Sequence, residues 1–171
     1  MIRVQCSLIA GLILAWVNAP TEESSMIVRF DGIGPVHVGM TLPELNSALH
    51  TSYKGPTDPE DEPSCFYVDV PNSPGLSLMV LNDRIARVDV DNPSTRTAKG
   101  VHIGDSESRA IMAYGKRLKI EPHHYVPENG HYLTILSAHR KYGIRFETED
   151  GKITRYYAGI LEAISYVEGC S

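Results

Sequence analysis

Two stretches of strict alternation stand out along the chain. In residues 76–90, the apolar positions Leu76, Leu78 and Val80 lead to a polar Asn82-Asp83 step, after which Ala86, Val88 and Val90 resume the period of two. This predicts a β-hairpin with one face turned to a core. Residues 144–158 repeat the pattern: Ile144, Phe146 and Thr148 run into Asp150-Gly151, and Thr154, Tyr156 and Ala158 follow. Alternation places these residues inside and sets Met79, Ile85, Arg87 and Asp89, with Arg145, Glu147, Ile153, Arg155 and Tyr157, on the opposite, outward face. A further strand precedes each hairpin, over 65–70 and 132–136.

Upstream of each set of strands the period becomes helical. Thr41 with Glu44 three residues later forms a capping box for a short helix whose Leu42, Leu45 and Leu49 share a face. Ser106 or Asp105 caps a second, which carries Ala110, Met112, Ala113 and Tyr114. The lead-ins match as well, Val36-His37-Val38-Gly39 against Val101-His102-Ile103-Gly104, and the offset between copies is 65 at the helix and 68 at the hairpin. The extra residues fall in the loop over 123–129. The expected fold class is therefore α+β, two tandem helix-plus-antiparallel-sheet repeats packed into one body. Residues 20–97 hold the N-terminal segment and the first repeat, and residues 98–171 the second repeat and a tail. One unit of about 60 residues buries little core, whereas two together reach the size of an ordinary domain.

Composition narrows the setting. The 171 residues are 42% hydrophobic and 22% charged, with a net charge of −5, as in a globular chain. A sequence pI near 5.8 offers no electrostatic footprint for nucleic acid. Residues 1–19 combine Arg3, an apolar run from Leu8 to Val17 and a small-residue end, Val17-Asn18-Ala19, and read as a secretory signal. A membrane anchor needs about 20 apolar residues, and the polar Thr21-Glu22-Glu23 ends the run too early. The processed chain is expected to be periplasmic or secreted, without stable membrane insertion. Signal removal takes Cys6 and leaves Cys65 and Cys170, which in an exported chain read as one disulfide; two free buried thiols are the alternative.

With two helix-plus-sheet repeats in an exported chain, the sequence resembles the β-lactamase-inhibitory-protein type of fold. The helix start over 34–44, with Gly34, Gly39-Met40-Thr41 and Glu44, is similar to that of small outer-membrane assembly lipoproteins of the SmpA/OmlA group. The resemblance covers residues 33–158 and implies a protein that binds another protein. The chain departs from it in having one cysteine pair that joins the first repeat to the tail, and in lacking a lipid-bearing cysteine.

Catalytic signals are poor. Gly104-Asp105-Ser106-Glu107 is similar to the nucleophile block of Gly-Asp-Ser hydrolases, but the Asp-x-x-His partner is missing and Ser106 stands opposite Thr41 at a helix cap. Glu121-Pro122-His123-His124-Tyr125, with Glu128 and His131, is the densest histidine stretch; adjacent His123 and His124 diverge in an extended chain, and it reads as a solvated loop. His37 and His102 sit at equivalent positions, which points to a structural task such as bonding a loop carbonyl. Gly32-Ile33-Gly34-Pro35-Val36-His37 fails the dinucleotide fingerprint. No catalytic residue, metal site or cofactor is expected.

What remains is surface. Tyr67, Arg87, Tyr132, Arg155 and Tyr157 form an arginine- and tyrosine-rich set on the outward face, the composition favoured at protein interfaces. The plainer alternative is a solvated face with cross-strand charge pairs. The expected function is a non-enzymatic exported protein-binding module of the inhibitor or immunity type, with another protein as partner; residues 121–130 are the other candidate contact. The competing readings are a cell-envelope assembly or structural accessory and a small periplasmic hydrolase or metal-dependent enzyme.

Overall fold

The computed structural model describes residues 26–56 and 64–170. Residues 1–19, read above as a secretory signal, lie outside the described residues. Three short strands, β1 (Ile27–Arg29), β2 (Gly32–Ile33) and β3 (Val36–His37), join β7 (Arg96–Thr97) in a four-stranded sheet of order β3-β2-β1-β7, with β1 parallel to β7. The larger sheet contains β4 (Cys65–Asp69), β5 (Leu76–Leu81), β6 (Arg84–Val90), β8 (Lys119–Pro122), β9 (Gly130–Leu136), β10 (Tyr142–Glu149) and β11 (Lys152–Ile160). Its order is β4-β5-β6-β11-β10-β9-β8, so the two hairpins meet at an antiparallel β6–β11 seam from Val90↔Tyr156 to Arg87↔Gly159. The fold is mixed α+β, with two sheets and short helices.

Helix α1 (Leu42–Leu49) starts where the Thr41 N–H and hydroxyl both donate to Glu44 Oε2, at 2.8 and 2.9 Å. In α2 (Glu107–Tyr114) the cap is Ser106, whose Oγ accepts from the Arg109 N–H at 3.2 Å. Each lead-in is pinned to the hairpin that follows it. The Gly39 N–H donates to the Ile85 carbonyl at 2.7 Å and the Ile85 N–H to that of Met40 at 2.8 Å; Gly104, Ile153 and Asp105 make the same two bonds at 2.8 and 2.9 Å. Helices α1 and α2 and the small sheet cover the inner face of the large one, where Val28, Ile33, Leu45, Leu78, Val88, Ala110, Phe146 and Tyr156 are all fully enclosed.

Two β-bulges correct the face assignment made from alternation. Met79 pairs with Arg87 but Val80 pairs with Ile85, leaving Ala86 as the extra residue; Glu147 pairs with Arg155 but Thr148 with Ile153, leaving Thr154 extra. Each bulge flips the residues on its turn side by one position. Ile85 and Ile153 therefore enter the core, while Ala86 joins Met79 on the other face and Thr154 is exposed.

That other face is not open. A short helix, α3 (Leu161–Ser165), lies across it, and residues 166–170 run on to a disulfide between Cys170 and Cys65, whose Cα atoms are 5.4 Å apart. Gly143 on β10 makes the seat, since a Cβ there would stand 2.5 Å from Ile164 Cδ1; its partner Gly159 on β11 instead makes room for the bulged strand β6, where a Cβ would stand 2.2 Å from the Ala86 carbonyl oxygen. Met79 and Ala86 on the sheet and Ala163 on the strap form a second small apolar cluster, against which the cystine and Tyr166 pack. Among the described residues no helix is long and apolar enough to cross a membrane.

Candidate functional site

Successive strands of an antiparallel sheet bring side chains into rows, and on the strapped face one row reads Lys119, Thr134, Arg145, Tyr157, Asp89, Ser77. Beside it, Tyr67, Arg87, Arg155 and Tyr157 converge with Asp89, Asp91 and Glu147 on a cleft of about 240 Å³, closed on one side by tail residues 166–169. Tyr132, the fifth residue of the expected set, lies outside the cleft lining. Its ring is buried between the His123 ring, 4.5 Å away, and the Arg145 guanidinium, 5.0 Å away.

The expectation that all five stand in solvent is corrected. Arg87 is 4% exposed and Tyr157 2%, because α3 and the tail cover them; Tyr67 and Arg155 remain open. Arg87 is held on every side. Its Nε and Nη2 donate to the two Asp89 oxygens at 2.9 and 2.7 Å, its Nη1 donates to the Ala163 carbonyl at 2.8 Å, and Nη2 also donates to the Tyr67 hydroxyl at 2.8 Å. The guanidinium lies 4.5 Å from the centre of the Tyr157 ring. Tyr157 in turn donates to Glu147 at 2.9 Å, and Arg155 donates to Asp91 at 3.0 Å across the β6–β11 seam.

Burial sets the protonation states here. It raises the Tyr67 and Tyr157 phenols, Tyr157 further because it donates a hydrogen bond to the charged Glu147, so both remain neutral, Tyr157 as a donor and the Tyr67 oxygen as an acceptor from Arg87. Burial also lifts the Asp89 carboxyl, against which the Arg87 contact works. For Arg87 itself, burial is outweighed by the hydrogen bonds and charge of Asp89, which hold it protonated. A set of fixed donors and acceptors results, suited to recognition.

Comparison with protein-family models, curated proteins and solved structures returns no match. The other expected sites resolve individually. The Ser106 side chain is a helix cap. His102 Nδ1 lies 2.7 Å from the Ile103 carbonyl oxygen, whereas His37 is exposed beside Asp31. His123 stacks on Tyr132 and His124 sits edge-on to Tyr125; among the described residues no group of three or more His, Cys, Asp or Glu is placed to hold a metal ion.

Sequence reasoning missed the tail as a wall of the cleft, although the signal was present. A bond from Cys170 to Cys65 brings the tail onto the strand that carries Tyr67. It also missed a clasp in which Glu107 Oε1 accepts from the Thr148 hydroxyl at 2.5 Å and lies 2.8 Å from His131 Nδ1, tying α2 to β10 and β9.

Proposed function

We propose that the chain is an exported, non-enzymatic protein-binding module of the inhibitor or immunity type, acting at the cleft between the tail and the outer face of the large sheet. The observation that carries this reading is the convergence of Tyr67, Arg87, Arg155 and Tyr157 on one partly open cleft, with each side chain fixed by a neighbour. Anchors already ordered in the free protein lose little rotamer entropy on binding, and arginine and tyrosine dominate interface energetics. Tyr67, Arg155, Val167 and Glu168 form the solvent-facing rim; Arg87 and Tyr157 support it from below. The matched lead-in bonds, paired turns and paired bulges support an origin as two copies of one helix-plus-sheet unit, and with it the resemblance to inhibitory-protein folds. The disulfide and the leader-like residues 1–19 support a periplasmic or secreted location.

The test uses the processed chain immobilised against an envelope extract. Tyr67→Ala with Arg155→Ala is expected to leave the fold intact by circular dichroism, since both side chains are exposed, and to abolish capture of the partner held by the wild type, as losing two anchors of about 2 kcal/mol each implies. Equal capture by the folded double variant would remove the cleft as the binding site.

A further inference from the structure

The strapped face has a second concavity on the other side of α3, and its charge is of the opposite sign. A groove of about 590 Å³ runs between β8, β9, the β9–β10 turn and the α3 residues Leu161 and Ser165. Four cations border it: Arg117 from the turn after α2, Lys119 on β8, Arg140 in the β9–β10 turn and Arg145 on β10. The one carboxylate on the lining, Glu121, is engaged by Lys119 at 2.8 Å. Among the described residues Arg117, Arg140 and Arg145 have no carboxylate within ion-pair distance, in a chain whose net charge is −5. Cations lining one groove raise its positive potential, which favours an anion there.

Arg145 is pre-oriented. Its Nε donates to the Oγ1 of buried Thr134 at 3.0 Å and its guanidinium carbon lies 5.0 Å from the centre of the Tyr132 ring, while its two amino ends make no hydrogen bond among the described residues and can meet a ligand oxygen pair. Leu136 and exposed Leu161 supply an apolar strip beside the cations. The geometry points to a binding site for an anion carrying more than one phosphate or carboxylate charge, the phosphate of a free small molecule or of a lipid headgroup, with Arg145 as the bidentate contact and Arg117 and Arg140 closing over it. The groove volume is that of a small-molecule site.

The test titrates the processed chain by calorimetry with inorganic pyrophosphate, and in parallel with vesicles of equal parts cardiolipin, whose headgroup carries two phosphates, and phosphatidylcholine. Arg140→Gln with Arg145→Gln is expected to weaken binding about tenfold or more, the loss of one to two charge-assisted hydrogen bonds. Lys54→Gln with Lys99→Gln, outside the groove, is expected to bind as the wild type does. Should Arg145→Gln unfold the chain, Arg117→Gln with Arg140→Gln, both exposed, carries the same comparison. Pyrophosphate binding lost in the groove variant supports a free-anion site. Vesicle binding lost in that variant, without pyrophosphate binding, supports a headgroup site. Binding of neither probe, or equal binding by wild type and groove variant, overturns the proposal.

Discussion

Arg87→Ala is the substitution for which structure and alternation disagree most. On an open strand face it would change stability within about 0.5 kcal/mol. Beneath the strap it strands the Asp89 carboxyl, 6% exposed, without its counter-ion, and takes the only side-chain donors from the Ala163 carbonyl and the Tyr67 hydroxyl among the described residues. Breaking a buried pair from one side costs about 3–5 kcal/mol, a large part of the 5–15 kcal/mol typical of a whole domain. Equilibrium urea unfolding followed by circular dichroism measures it. Arg87→Ala with Asp89→Ala removes the stranded charge too, so the double variant is expected to fall short of additivity by about 2 kcal/mol. Arg155→Ala supplies the contrast: its pair with Asp91 is roughly half-exposed on both sides, and its loss is expected to cost no more than about 1 kcal/mol. A cost below about 1 kcal/mol for Arg87→Ala, or strict additivity with Asp89→Ala, would refute the burial argument.

Two further predictions follow from the strap and the clasp. Cys170→Ser in the chain lacking residues 1–19 is expected to lower stability by up to ~4.7 kcal/mol, since the bridge closes a loop of sequence separation 105; mass spectrometry of the unreduced protein should find no alkylatable thiol at Cys65 or Cys170, and two such thiols would end the argument. Burial raises the Glu107 carboxyl, but the Thr148 and His131 contacts outweigh it and leave the group below its ordinary value of 4.5. A carboxyl depressed on folding adds stability that is complete above its unfolded value and is lost as pH falls through the folded one. Glu107→Gln is therefore expected to flatten the acid limb of a stability-against-pH curve below about 4.5; an unchanged limb would show that the clasp carries no linkage.

The hairpins, the strands ahead of them and both helix caps were legible because each rests on local chemistry: period-two alternation, Asn-Asp and Asp-Gly turns at positive φ, and a hydroxyl three residues before its partner. The faces beyond Met79 and Glu147 were not, since a bulge costs one residue and leaves no mark in composition; Ile85 beside Ala86 and Ile153 beside Thr154 fit either register. Strands of two or three residues such as β2 and β7 are too short to show a period. Of the site, the residue types were readable and their burial was not. Ala163 and Ile164 look like any short apolar pair until Gly143 provides a place to dock Ile164.

The β6–β11 seam has a kinetic consequence. Each hairpin closes over a two-residue turn and forms on the microsecond scale, but the seam joins Arg87 to Gly159 and Val90 to Tyr156, partners far apart in the chain. Such pairing pays its loop-closure entropy before any contact is returned. The meeting of two preformed hairpins along this seam is therefore expected to limit the rate of folding. Truncation of seam residue Val88 should slow refolding in a chevron experiment, whereas loss of the strap, which docks only on the joined sheet, should instead speed unfolding.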